Sequence, residues 1–323
     1  MNINFFLEIF EKNHDLDAII WKDKIYSYQW LADRVAHWQN QISSIKIKEG
    51  SVCAIEADFS PNSIALFLAL VSNNCIIVPL TTSVQSKKEE FIEVSQCEIL
   101  FSINQNDEVE ISNFSNIANH EYYQTLHKKS KPGLVLFTSG TSGKSKAAIH
   151  NLDEILEKFK VPRHSLRTIV FLLYDHIGGI NTMFYTLSNA GCLITVNERT
   201  PDRVLQLVEK FKVELIPTSP TFINLILISE SYKRWNLDSL KTVTYGTEPM
   251  PETTLKRFSK LFPDIRLLQT YGLSEVGILR SKSKGNDSLW VKVGGEGFQT
   301  KIVDGILHIK AKSSMLGYLN APS

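Results

Sequence analysis

An excess of charge of either sign is missing from this chain. Its 35 basic and 34 acidic residues leave a formal net charge of +1. No cationic surplus is on hand for a nucleic-acid backbone or an anionic membrane surface. Cysteine is also scarce. Cys53, Cys75, Cys97 and Cys192 stand far apart, and none forms a Cys-x-x-Cys pair. That spacing argues against a metal knuckle or a disulfide framework, and buried free thiols in a reducing compartment are expected. Long apolar runs are absent too. Ile64 to Val71, among the longest, stops at Ser72 and Asn73, far short of the ~20 residues that cross a bilayer. The opening residues Met1 to Phe6 carry neither a basic n-region nor a cleavage site, so a cytoplasmic location is expected. What remains is a composition of 43% hydrophobic and 21% charged residues over 323 positions. That is ordinary for a globular chain, with length for two or more packed units.

One stretch departs from the ordinary. Leu134 to Phe137 is apolar, and every residue from Thr138 to Lys146 is then Ser, Thr, Gly or Lys. A buried strand that ends in such a loop delivers donors to an anion. Gly140 and Gly143 let backbone N–H groups approach phosphate oxygens. Thr138, Ser139, Thr141 and Ser142 add hydroxyls, and Lys144 and Lys146 add charge. Such composition alone more often marks a surface turn; its density directly after a core strand favours the phosphate loop. The Walker pattern requires a glycine five positions before Gly143, and Thr138 stands there.

The stretch resembles instead the Thr-Ser-Gly-Thr-Thr-Gly-x-Pro-Lys-Gly signature of adenylate-forming enzymes: acyl-CoA synthetases, adenylation domains of peptide synthetases and luciferases. Ser142 stands for the second Thr, Ser145 for Pro, Lys146 for Lys and Ala147 for the last Gly.

Taken in order, the chain alternates strands and helices. Ser27 caps a helix to about Ile42, with Leu31, Val35, Trp38 and Ile42 on one face. Strands are expected at 52–57, 75–78 (ending at Pro79), 99–103, 133–137 and 146–150. Pro61 opens a helix, and others are expected at 87–94 and 153–159. Residues 104–131 are polar and read as an exposed connector. The alternation restarts with strands at 168–173, 192–196, 214–217, 242–245 and 266–269. Helices lie between them at 181–188, 201–211, 222–228 and 251–261, with Pro251 at the first helical position. After Glu275 the pattern changes to strands at 289–293, 298–303 and 306–310, with Asp304-Gly305 as a hairpin turn. The expected fold is α/β: two β/α layered subdomains with mostly parallel sheets (1–162 and 163–285), then a small antiparallel, barrel-like β subdomain (286–323). Ligands of such sheets sit at the carboxyl ends of strands.

Three further motifs fall at those ends. In Leu268 to Gly277 a strand ends at a Tyr-Gly turn, which offers an aromatic face at Tyr271 and then a carboxylate at Glu275. A ring can stack on a base, and a carboxylate beside phosphates calls for Mg²⁺ between them. Taken alone, Ser274 and Glu275 also read as a helix start. The stretch resembles the family's Tyr-Gly-x-Thr-Glu motif. That resemblance implies Tyr271 against adenine with Gln269, Thr270 and Gly272 beside it, Ser274 at the α-phosphate, and Mg²⁺ on Glu275 with Thr138. Tyr245 to Pro251 resembles the Gly-x-Glu segment that lines the adenine pocket, matched at Gly246, Thr247 and Glu248. Leu172 to Gly179 resembles the Pro-x-Phe-His-x-x-Gly segment, and His176 matches the histidine between acid and nucleotide. Asp175 stands one place from the aspartate that holds an α-amino group in amino-acid adenylation. Without the resemblance, His176 reads equally as a hydrogen-bonded histidine at a strand end.

Ile306 to Leu319 resembles the family's Gly-Glu-Leu-x-Ile…Met-x-Gly-Tyr segment, with Ile306 in place of its Glu. The chain stops at Ser323, before the family's ribose-binding aspartate and a C-terminal domain of roughly 100 residues. A large-domain fragment is therefore expected. The resemblance implies ATP-dependent activation of a small carboxylic acid to acyl-AMP with release of pyrophosphate. Transfer to CoA or a phosphopantetheine thiol, such as that of an acyl carrier protein, follows in the full-length parent. Catalytic roles fall to His176, Lys146 and Glu275. Acid-binding roles fall to His176, Tyr245, Gly246 and Gly272. The alternative is a protein that binds nucleotide or acyl-adenylate without turnover.

Overall fold

The computed structural model describes residues 2–139, 145–295 and 297–322. Two seven-stranded sheets form its frame. Near the start lie α1 (Asn4–Lys12), β1 (Asp17–Trp21), β2 (Lys24–Ser27) and α2 (Tyr28–Ser44). The first β/α series then runs β3 (Val52–Glu56), α3 (Pro61–Ser72), β4 (Ile76–Leu80), α4 (Lys88–Val94), β5 (Ile99–Ile103), β6 (Val109–Asn113), α5 (Glu121–Lys128), β7 (Gly133–Ser139), β8 (Ser145–Asn151) and α6 (Leu152–Leu156). The second runs β9 (Arg167–Val170), α7 (Ile177–Leu187), β10 (Cys192–Thr195), α8 (Pro201–Phe211), β11 (Leu215–Thr218), α9 (Pro220–Ser229), β12 (Thr242–Tyr245), α10 (Glu252–Leu261) and β13 (Arg266–Gln269). Further strands follow: β14 (Tyr271–Leu273), β15 (Gly277–Ser283), β16 (Val291–Gly294), β17 (Phe298–Val303), β18 (Ile306–Ala311) and β19 (Gly317–Tyr318).

One sheet has the order β19-β8-β7-β4-β3-β5-β6 and the other β13-β12-β11-β9-β10-β1-β2. The interior strands pair in parallel, and antiparallel pairs occur only towards the edges. Strands buried on both faces feed two cores at once. Cys53 and Ile55 of β3 enter a central core, whereas Val52 and Ala54 enter an outer one. Ile19 and Leu193 of the other sheet join the same central core, and Ile20 and Ile194 face a third. The central core holds α2, α3 and α7 between the sheets. Eleven of the twelve residues of α3 are buried, as expected of a helix that is apolar all round. Helices α8 to α10 cover one outer face, and α4 and α5 the other. The fold class is therefore α/β with mostly parallel sheets. Two small antiparallel sheets, β14-β15-β16 and β17-β18, are appended.

Local signals explain the elements that matched. Ser27 accepts from the N–H of Trp30 at the head of α2, and Ser60 with Ser63 forms a capping box before Pro61. Asp304 and Gly305 both have positive φ in the β17–β18 turn, as a two-residue hairpin requires. All four cysteines are buried and free.

Several expectations are corrected. Residues 104–131 are not a plain connector. They hold β6, paired antiparallel with β5, and α5, which buries Tyr123 and Leu126. The sequence hid them because β6 is an exposed edge strand and α5 has only two buried anchors. Pro79 lies inside β4 and does not end it. β7 pairs with β4 only at Ile76 and Ile77, so Pro79 stands where one flank carries no ladder. Pro251 caps α10 from outside. Ser274 and Glu275 start no helix; they form the turn between β14 and β15. Strands β1 and β2, from the first thirty residues, complete the second sheet: Ile19 pairs with Leu193 and Ile20 with Ile194. β15 and β16 pair across position 285.

Candidate active site at the carboxyl ends of the strands

The proposed phosphate end is built on a hairpin stem. β7 and β8 pair antiparallel from Gly133↔Asn151 to Ser139↔Ser145, with Thr138 opposite Lys146. The segment that joins them, with Gly140, Thr141, Ser142, Gly143 and Lys144, lies outside the described residues. The stem below it is firmly held. The Phe137 ring stacks on Phe91 at 3.7 Å. Lys87 Nζ donates to Ser145 Oγ at 3.1 Å. Asn320 accepts from the N–H of Ala147 at 3.0 Å and donates to the carbonyl of Ser145 at 2.9 Å. Lys146 is half-buried, and its Nζ lies 5.1 Å from the centre of the Tyr318 ring.

The carboxylate end lies beside it. Glu275 stands on the β14–β15 turn, and its Oε1 accepts from the Tyr318 hydroxyl at 2.7 Å. Its carbonyl accepts from the N–H of Met315 at 2.7 Å. His150, fully buried at the end of β8, brings Nε2 to 2.6 Å from the carbonyl of Ser274 and Nδ1 to 3.3 Å from that of Ser313. The shorter contact makes Nε2 the donor. Burial lowers the His150 pKa, while the two carbonyls and Glu275 oppose that shift. Burial, then the bond to Glu275, pushes the Tyr318 hydroxyl up to about 12. Sequence reasoning missed His150. Its one signal was a lone histidine closing the apolar run Ala147 to Ile149, and that pattern does not separate a positioning histidine from a satisfied core one.

The proposed adenine wall forms where β11, β12 and β13 end in register at Thr218, Tyr245 and Gln269. The Tyr245 ring is buried, which raises its pKa. Its carbonyl accepts from both the N–H and the hydroxyl of Thr270, at 2.7 and 3.0 Å. Gly246 is needed here: a Cβ would lie 2.6 Å from Thr270 Oγ1 and 2.9 Å from its carbonyl oxygen. Thr247 has φ +73°. Glu248 turns away from this wall to the first turn of α9, where its Oε1 accepts from the N–H of Thr221 at 2.8 Å. Bonds from the Thr221 hydroxyl and N–H lower its pKa. Tyr271, half-buried, pairs with Leu279, and Gly272 with Ile278. Gln269 Oε1 is buried without a hydrogen-bond partner among the described residues, an acceptor that a ligand amino group would satisfy.

His176 caps α7. Its Nδ1 accepts from the N–H of Gly178 at 3.0 Å, so the neutral ring carries its proton on Nε2. Burial lowers its pKa, and Asp175 opposes the shift. A Cβ at Gly179 would lie 2.1 Å from the Leu173 carbonyl oxygen, which explains the glycine at that place in the motif. Asp175 Oδ2 accepts from Thr81 Oγ1 at 2.7 Å, and burial raises its pKa. Asp175 also borders a cavity of about 270 Å³ with Lys87, Phe137, Thr138 and Ser145. A larger opening of about 640 Å³, beside Trp21, Glu56 and Asn104, touches none of the motif residues. The structure thus brings Lys146 and Glu275 together through Tyr318, and Tyr245 and Gly246 together through Thr270.

This layered architecture is that of the large N-terminal domain of the acyl-CoA synthetase and luciferase fold. The N-terminal subdomain of Klebsiella oxytoca NpsA, in complex with 3-hydroxyanthranilyl-AMSN, superposes with a TM-score of 0.79 at 17% identity, over 98% of this chain and 88% of that one. The luciferase-like enzyme from the nonluminescent Zophobas morio mealworm superposes with a TM-score of 0.74 at 16% identity, over 98% and 88%. The model of the AMP-binding enzyme family matches residues 6–318, and the chain belongs to that family. Among curated relatives, 4-coumarate–CoA ligase-like 9 of Arabidopsis thaliana is 27% identical over 282 residues, 76% of this chain and 50% of the relative. The D-alanine–D-alanyl carrier protein ligase of Bacillus cytotoxicus is 22% identical over 292 residues, 82% of this chain and 57% of the relative. The chain spans about half the length of these curated relatives. Among the described residues, no helix is long and apolar enough to cross a membrane.

Proposed function

We propose that this chain is the nucleotide- and acid-binding portion of a ligase that joins a small carboxylic acid to the AMP moiety of ATP and releases pyrophosphate. In the full-length enzyme the acyl group then passes to a thiol, of CoA or of a carrier-borne phosphopantetheine. The observation that carries this reading is the meeting of opposite charges at strand ends: Lys146 on the β7–β8 stem and Glu275 on the β14–β15 turn, both touching Tyr318. The Thr138–Lys146 segment cradles the β- and γ-phosphates, Tyr271 stacks on the adenine, and Ser274 meets the α-phosphate. Gly246, Thr247, Gln269, Thr270 and Gly272 border the nucleoside. His176, with its proton on Nε2, stands where acid and α-phosphate meet. Such a transfer needs positioning and charge neutralisation more than a protein nucleophile.

The donor set fits Mg²⁺ held through the substrate. No group of three or more His, Cys, Asp or Glu able to hold a metal occurs among the described residues. One carboxylate, Glu275, assisted by the Thr138 hydroxyl, suffices for an ion that takes its other ligands from phosphate and water. When bound, Mg²⁺ supplies neutralising charge at the phosphates.

A second reading, binding without turnover, has its own support for this chain alone. The NpsA neighbour is an N-terminal subdomain of similar extent and forms a complex with 3-hydroxyanthranilyl-AMSN. Incubation of the full-length enzyme with ATP, Mg²⁺ and a broad acid panel, followed by mass spectrometry, separates the two. Acyl-AMP formed from at least one acid supports ligation. Tight ATP binding with no acyl-AMP from any acid supports the binding reading.

A further inference from the structure

We propose that Tyr318 is a positioning residue that holds the acidic and basic groups of the nucleotide site apart, its hydroxyl aiming the Glu275 carboxylate and its ring seating Lys146. The inference rests on the reading of this site as one for a nucleoside triphosphate with a divalent cation. Three features carry it. Tyr318 touches both residues, with the hydroxyl 2.7 Å from Glu275 Oε1 and the ring centre 5.1 Å from Lys146 Nζ. Lys146 and Glu275 form no salt bridge with each other or with any other described residue. Tyr318 is itself fixed by backbone bonds that do not depend on its side chain.

Those bonds run the length of a strap. Gly317 and Tyr318 pair with Ile149 and Ala148 of β8. Leu316 N–H donates to the carbonyl of Ile149 at 2.7 Å, and Leu319 N–H to that of Ala147 at 2.9 Å. On the other side Met315 N–H reaches the carbonyl of Glu275, and Ser313 Oγ reaches that of Val276 at 3.0 Å. The strap therefore ties the phosphate hairpin to the carboxylate turn, and Tyr318 projects between their two charges.

A spacer matters because an ammonium and a carboxylate left side by side pair with each other. Paired, Lys146 is withdrawn from phosphate and Glu275 from a cation. With the aromatic face taking the ammonium and the hydroxyl taking one carboxylate oxygen, both charges stay poised for a ligand.

The test is calorimetric titration of this chain with MgATP and with ATP in EDTA, alongside the melting temperature. Tyr318→Phe keeps the ring and removes the hydroxyl. It is expected to weaken MgATP binding roughly tenfold, the lower end of what loss of such a supporting bond costs in metal affinity. Binding of ATP in EDTA, which reads the Lys146 side, stays within about twofold. Tyr318→Leu removes both contacts and weakens both titrations. Two results overturn the proposal: Tyr318→Phe binding MgATP as wild type does, or weakening the two titrations equally, as a merely structural role would. If the wild-type chain binds ATP in neither condition, the nucleotide reading falls and this proposal falls with it. That failure appears in the wild-type titration and not in the variants.

Discussion

Tyr271 and Glu275 sit four residues apart but are held by different means, so their substitutions should fail differently. Tyr271 lies in β14 with its backbone paired to Leu279. Tyr271→Ala leaves that ladder intact and removes only the aromatic face. ATP affinity should fall by about 1–3 kcal/mol, the range for base stacking; an unchanged calorimetric affinity contradicts the stacking role. Glu275 is fixed by its carbonyl and by Tyr318. Glu275→Ala should abolish Mg²⁺-dependent acyl-AMP formation in the full-length enzyme with the melting temperature nearly unchanged. Near-normal turnover removes the metal role. Lys158 supplies a pH test away from the nucleotide. Its Nζ donates to Asn181 Oδ1 and to the Ile278 carbonyl and has no salt bridge among the described residues. Burial, with a contribution from Arg280, lowers its pKa from 10.5 to about 8. Between those two values the unfolded chain holds the extra proton, so stability rises with pH there. The stability of wild type relative to Lys158→Met should therefore grow by about 1–3 kcal/mol from pH ~8 to ~10.5, measured by urea unfolding. A constant difference contradicts the shift.

Elements were legible where apolar runs were punctuated by proline or turn residues. The strands Thr242–Tyr245, Arg266–Gln269 and Ile99–Ile103 and the helix Pro201–Phe211 fall where apolar patterning and proline placed them. The first two of these strands lead into the candidate site, so the positions of the Tyr245-Gly246 and Tyr271-Gly272 turns could be read too. β14 and β15 could not. β14 has only three residues, β15 is only partly buried, and a Ser-Glu pair after a glycine reads equally as a helix start. His150 was hidden for a related reason, since its role depends on carbonyls at Ser274 and Ser313 that are distant in the chain. Helix α5 shows how little a sequence needs for a real element. Two side chains, Tyr123 and Leu126, pin it to the outer core, and the Tyr123 hydroxyl donates to the Ser95 carbonyl at 2.7 Å. Leu126→Ala should cost about 2–5 kcal/mol by chemical denaturation, as for other buried leucines. A loss below about 0.5 kcal/mol would mean that α5 is not part of the core.

The molecule places its candidate site where two sheets and a small β appendage meet. The first sheet supplies the β7–β8 hairpin, the second supplies the turns after β12 and β13, and the strap through β19 ties the appendage to the first. Each motif is modest by itself. Their significance lies in the convergence of distant segments, shown by Lys146, Glu275 and Tyr318 in contact across more than 170 positions of sequence. That convergence, with membership of the AMP-binding enzyme family, supports activation of an acid by adenylation as the central claim. Because the chain spans about half of its curated relatives, the decisive experiment belongs to the full-length enzyme proposed above. It is exchange of labelled pyrophosphate into ATP, run with and without each member of a carboxylic-acid panel. The account predicts exchange that appears only when a suitable acid is present and disappears in Glu275→Ala. Exchange with no acid in the panel, or ATP hydrolysis at the same rate whether or not acid is added, would contradict it.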